Sequence, residues 1–292
     1  MSSQDTGIVD EELTPAVTSP DSSDELQIQP AGFLIQMSHD WIIVRASENI
    51  DDFLGESHVT LIEEPLSRFV QAQALHDLRN HFSRLSGSTG IARAYRVRLT
   101  DDRPRFDIAF QVSGGRVLLE ASPSPEQGLG EALGSVGGLI DSLSGQRGEA
   151  LLDGAARRMR ALTGCDHCLV VCGEHSAHSS RGSASAPSEI PDLPAIVADT
   201  AAVPVPIFPR KPGDGAIANA LLRSPSAASL QHLRDQGIAS AISVPLSLDG
   251  QVSGVIRCQS GAAIEPNFEM HAAAELFAQM FALRLEIDRL RG

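Results

Sequence analysis

The chain is short of several things, and each shortage removes a class of function. No run of about 18 apolar residues occurs, so no membrane-spanning helix is expected. The opening residues, MSSQDTGIVDEELT, lack the basic-then-apolar order of a secretory leader, and none is expected. Positive charge is scarce: 23 Lys and Arg against 37 Asp and Glu leave a net charge of −14. Such a surface repels phosphates, which argues against nucleic-acid and anionic-membrane partners. A phosphate-binding glycine loop, a nucleophile elbow, paired zinc ligands and histidine-kinase signatures are all missing, so an enzyme is the weakest reading. Cysteine is sparse too, at Cys165, Cys168, Cys172 and Cys258. Three of these crowd into eight residues and make poor disulfide partners, so a reducing cytoplasm is the expected home.

What remains is enough for a sizeable core. With 292 residues, 42% of them hydrophobic, the length favours about two domains. Residues 1–25 are rich in Ser, Asp, Glu, Thr and Pro and are expected to form a disordered acidic leader, because they bury too little to offset ordering entropy. Two β-like runs, 32–37 and 41–45, flank the connector Ser38-His39-Asp40. A short helix ending at Gly55 follows, then helical spacing from Leu66 to Leu85. Three strands are predicted at 92–99, 105–112 and 116–121.

The second half reads differently. Apolar residues recur at helical spacing from Leu129 to Thr163, with a break near Gly145 and Gly148. His167 to Cys172 reads as a strand, 175–188 as a Ser/Gly/Ala-rich loop, and 193–201 as helix-like. Prolines at 204, 206 and 209 bar a central strand there. Residues 242–248 and 251–258 form a hairpin over Asp249-Gly250, and a long helix runs from Phe268 to Leu290. The cluster Cys165-x-x-Cys168-x-x-x-Cys172 raises a metal or redox reading beside one of plain core cysteines, which is favoured. Strand alternation puts Cys168 and Cys172 on one face and Cys165 on the other.

Several of these stretches resemble one family. Ile28-Gln29-Pro30-Ala31-Gly32, Ala46-Ser47-Glu48-Asn49 and Phe53-Leu54-Gly55 resemble the PAS domain of phytochromes. Ala186-Pro187-Ser188-Glu189-Ile190-Pro191 and the stretch from Leu222 to Ser260 resemble the chromophore-binding GAF domain. The fold that the resemblance implies is α+β: a PAS domain at 26–125 and a GAF domain at 126–292. Each has an antiparallel sheet flanked by helices, and a long C-terminal helix follows. It also implies a knot, with the segment before Ile28 threaded through a loop from Pro204 to Arg223.

By the same resemblance the pocket positions are Glu189, Ile190, Pro191, Arg223, Ser229, His232, Ser243 and Gln259. Arg223 matches an arginine that pairs with a bilin propionate, a task suited to its bidentate fork. Many ring-binding letters differ: Ser229 and Gln259 stand where the family has histidines, and His232 stands for a tyrosine. Neither attachment position carries a cysteine, since Met1 to Pro30 has none and Ala228 fills the other, so no covalently bound cofactor is expected. Biliverdin or another tetrapyrrole remains the ligand that the resemblance implies. The implied function is the sensory input module of a phytochrome-like signalling protein. It would be a homodimer through its helices, working with an output domain or partner protein. Two alternatives stay open: a protein-interaction module with a closed pocket, and a receptor for a non-covalent small ligand.

Overall fold

The computed structural model describes residues 27–85, 90–125, 131–181, 193–210, 215–248 and 251–291. The expected leader at 1–25 lies outside these residues.

The first sheet begins with β1 (Phe33–Met37) and β2 (Ile43–Ser47), antiparallel neighbours joined by the connector at 38–42. Two short helices follow, α1 (Ile50–Leu54) and α2 (His58–Leu61). Helix α1 stops at Gly55, whose φ of 81° is a left-handed cap that its missing side chain permits, and whose N–H reaches the Asp51 carbonyl at 2.8 Å. Next come α3 (Ala72–Ser83), β3 (Ala92–Val97), β4 (Phe106–Ser113) and β5 (Arg116–Pro123).

Strands β4 and β5 are buried on both faces, and the sequence says why. Phe106, Ile108 and Phe110, with Val117, Leu119 and Ala121, face the core under α1–α3. There Phe33 meets Phe106 edge-on at 5.6 Å and Trp41 meets Phe82 at 5.9 Å. Each such ring contributes about 1.5–3 kcal/mol by leaving water. The alternate residues Ala109 and Leu118 join a second core that includes Ile28, Ile196, Ile207 and Leu222, all but Ile28 from the second half of the chain.

That half supplies α4 (Glu131–Asp141), α5 (Gly148–Thr163), β6 (His167–Cys172), β7 (His175–Ser180), β8 (Ile196–Val197) and β9 (Ile207–Phe208). It ends with α6 (Ala227–Asp235), β10 (Ser240–Leu248), β11 (Gln251–Ser260) and α7 (Phe268–Arg291). The five-stranded sheet has the order β7-β6-β11-β10-β8, while β9 crosses over to become the outer strand of the six-stranded sheet, β3-β4-β5-β1-β2-β9. The proline-rich stretch therefore sits at an edge, where missing N–H donors cost least.

Three local expectations are corrected. Residues 193–201 hold β8, not a helix: Pro194 disfavours helical backbone before it, and β8 is fixed by β10 and by Gln29. The start of the stretch read as a loop, 175–180, is edge strand β7 paired with β6; its small polar letters gave no apolar alternation strong enough to announce a strand. Cys165 does not point away from Cys168. It precedes β6, so alternation does not reach it, and it packs with Cys168 and Cys258 in the helical core.

Candidate functional site

The second sheet has two unlike faces. Ile242, Val244, Ile256 and Cys258 point into the core with Phe277 and Phe281 of α7 and Leu151 and Met159 of α5. The alternate residues Ala241, Ser243, Arg257 and Gln259 point the other way, towards α6, whose Leu233 packs with Ala241, Val197 and Leu193. This second face carries Ser243 and Gln259 of the expected pocket, both buried. It also carries Arg257, which sequence reasoning missed. Arg257 is 5% exposed, on the central strand, and its Nε donates to Ser243 Oγ at 3.1 Å.

Helix α6 supplies two more expected residues, and both are engaged locally. Ser226 caps the helix by accepting from Ser229 N at 3.1 Å, and the two hydroxyls lie 2.9 Å apart. His232 Nε2 is 2.9 Å from Gln236 Nε2, a bond along the same helix. Arg223 is half-buried just before the helix. Glu189, Ile190 and Pro191 lie outside the described residues.

The backbone at Arg223 is held by the first domain. Ile28 bridges Val205 on one side and Arg223 on the other, with Ile28 N donating to the Val205 carbonyl at 2.9 Å and Gln29 N to the Leu222 carbonyl at 2.8 Å. Both arms of the 205–223 segment therefore grip this one stretch. The chain that would complete a knot, before Gln27, lies outside the described residues. The buried Gln29 side chain acts as a short strand: Nε2 donates to the carbonyls of Ile196 (2.7 Å) and Arg223 (3.1 Å), and Oε1 accepts from Ala198 N (2.6 Å). Gly32 must be glycine for space. A Cβ there would collide with the Ala121 carbonyl and lie 2.7 Å from Leu222 Cδ1.

Two further polar contacts pin the halves together. Glu120 of β5, 1% exposed, accepts from Leu221 N at 3.0 Å and Leu222 N at 2.7 Å, and from Gln111 Nε2 at 3.2 Å. Burial pushes its carboxyl up to about 7, against those hydrogen bonds, which pull it down. On β3, Arg93 Nη2 donates to Glu275 Oε2 at 2.6 Å and contacts His271 Nδ1 at 3.2 Å, both on α7. Burial holds His271 down at about 4, so its ring is neutral near pH 7. Neither pair was foreseen; a lone carboxylate inside the apolar run of β5 was the available signal.

The cysteines sit away from this face. Cys165, Cys168 and Cys258 are buried in the helical core and Cys172 packs against it; all four are unbridged. The Cys165 thiol is pushed up by its bond to Cys258 and by burial. At Cys258 the contact with Cys165 pulls the other way, but the contact with Cys168 and burial still raise it. Among the described residues no group of three or more His, Cys, Asp or Glu could hold a metal ion. No described helix is long and apolar enough to cross a membrane.

Two family models match the chain: a PAS fold over residues 25–124 and a GAF domain over residues 147–288. The chromophore-binding domain of phytochrome P1 from Stigmatella aurantiaca is 22% identical, with a TM-score of 0.75 over 90% of this chain and 98% of that one. That of an unusual bacteriophytochrome from R. palustris is 22% identical, with a TM-score of 0.77 over 94% and 99%. The photosensory core module of the Stigmatella aurantiaca phytochrome is 21% identical, with a TM-score of 0.78 over 95% of this chain and 61% of that one. PAS and GAF domains of this sensory kind are not catalytic. With its two antiparallel sheets, flanking helices and long α7, the chain is a PAS fold followed by a GAF domain, and its fold is that of the phytochrome chromophore-binding domains above.

Proposed function

We propose that this chain is the sensory input module of a phytochrome-like signalling protein, and that it holds no covalently attached bilin. The observation that carries the second part is the placement of the thiols. Cys168, Cys172 and Cys258 point to the helical side of the second sheet, and Cys165 packs among them. The face under α6, with Arg223, Ser229, His232, Ser243 and Gln259 on or beside it, carries no cysteine among the described residues. A thioether needs a thiolate in reach, and the raised Cys165 and Cys258 are poor sources of one. In this reading residues 26–125 are the PAS domain and 126–292 the GAF domain. Four unbridged thiols fit a reducing cytoplasm.

The output element of this reading is α7, which is apolar on two sides. One side fills the core; the other exposes Leu276, Leu283, Ile287 and Leu290, with Met280 between them. Their alternating spacing of four and three is that of a coiled-coil seam. Ile287 takes an a position and Leu283 and Leu290 take d positions, a pattern that favours two parallel strands. Glu286 and Arg291 then fall at the flanking positions that attract across such a pair. A second copy of this chain is therefore the partner assigned to the stripe.

The test of the covalent claim is to produce the protein with a biliverdin source and denature it. Any pigment that accompanies the protein should separate from the denatured polypeptide; a far-red or denatured-bilin band that stays with the chain overturns the claim.

A further inference from the structure

The most unusual residue of the second sheet is Arg257. Strand β11 is central, between β6 and β10, and Arg257 stands opposite Leu169 on one neighbour and Ser243 on the other. Its chain neighbours Ile256 and Cys258 are in the helical core, so its own side chain rises from the face under α6. A guanidinium is charged at all working pH values, and burying one is costly unless it is matched by an acidic or accepting group. Here Ser243 Oγ supplies one acceptor at 3.1 Å. The centre of this face thus carries a long, buried side chain.

We propose that Arg257 is the residue that decides which ligands this face can take, and that it bars an open-chain tetrapyrrole even without a covalent bond. This rests on the reading of the α6 face as the remodelled pigment face. The side chain takes up room over the middle of the sheet, on the face where a flat conjugated ligand would have to lie.

The experiment is a titration of purified wild-type chain, Arg257→Ala and Arg257→Gln with biliverdin, followed by absorbance. Ala removes the bulk. Gln shortens the side chain and can still bond Ser243, so it folds if Ala does not. Each variant is first checked for a cooperative melt. The expected result is that a folded variant binds at least about tenfold more tightly than wild type, with a band lost on denaturation. Folded variants that bind no more tightly than wild type overturn the assignment of Arg257. Pigment retained by denatured wild-type chain overturns the earlier covalent claim, and is distinguished by that step.

Discussion

Glu120 offers the sharpest quantitative test of how the two domains hold each other. Its carboxylate is buried and accepts from the backbone N–H groups of Leu221 and Leu222, next to Arg223. Its pKa rises from 4.5 to about 7 on folding, so the folded state binds more protons than the unfolded state between those values. The contribution to stability is therefore full below about pH 4.5 and is lost as pH rises through about 7. Integrating that linkage, the loss between about pH 5 and about pH 8 is about 2.5 kcal/mol. Glu120→Gln removes the titration. Its amide can accept one backbone N–H but presents its own N–H groups to the other, a fixed cost of about 1–3 kcal/mol. The difference between wild type and variant should accordingly shrink by about 2.5 kcal/mol from about pH 5 to about pH 8. Urea unfolding at both pH values measures it. A difference that stays constant within about 0.5 kcal/mol would refute a buried, shifted carboxylate at this junction.

Other perturbations read other parts of the junction. Arg93→Met removes the 2.6 Å contact to Glu275 and should cost about 1–3 kcal/mol, with faster amide exchange at the start of α7; unchanged exchange would show that the PAS sheet does not steady the helix. Gly32→Ala forces a methyl against the Ala121 carbonyl and Leu222, and a loss of about 1–3 kcal/mol is expected in the melt; a neutral result means the two segments are not in close contact. Leu283→Asp with Ile287→Asp should give a monomer by light scattering with stability within about 1 kcal/mol of wild type, since both side chains are exposed; a persistent dimer removes α7 as the seam.

How much of this was legible beforehand follows from the physics of each signal. Strands β4 and β5 and helices α5 and α7 announce themselves because long apolar patterns set them. The Ile28–Gly32 stretch could be matched to its family, but its cause could not be read from the letters. Gln29 works through bonds to residues 167, 169 and 194 positions away, and Gly32 is small because Leu222 lies against it. Strands β8 and β9 have two residues each and owe their form to partners, not to propensity. Of the pocket positions that the resemblance implies, Ser243 and Gln259 lie on a buried strand face, whereas Ser229 and His232 bond within their own helix. Arg257 hid for a simple reason. An arginine beside Ile and Cys reads as an edge position until the strand order shows β11 at the centre.

The buried ionisable groups of the junction also act on one another through pH. His271 falls from 6.5 to about 4 on folding, so its contribution is present above about pH 6.5 and is lost as pH falls through about 4. Between about pH 5 and about pH 8 it adds about 2 kcal/mol as pH rises, while Glu120 removes about 2.5 kcal/mol. The two slopes nearly cancel. Wild-type stability should then change by less than about 1 kcal/mol over this range, whereas Glu120→Gln should become more stable with rising pH and His271→Asn less stable. A wild type with a steep slope, or two variants sloping the same way, would break the argument. If the slopes oppose, the contact of β5 with the 221–222 backbone and that of β3 with α7 each carry a buried ionisable group, while the junction as a whole does not respond to pH.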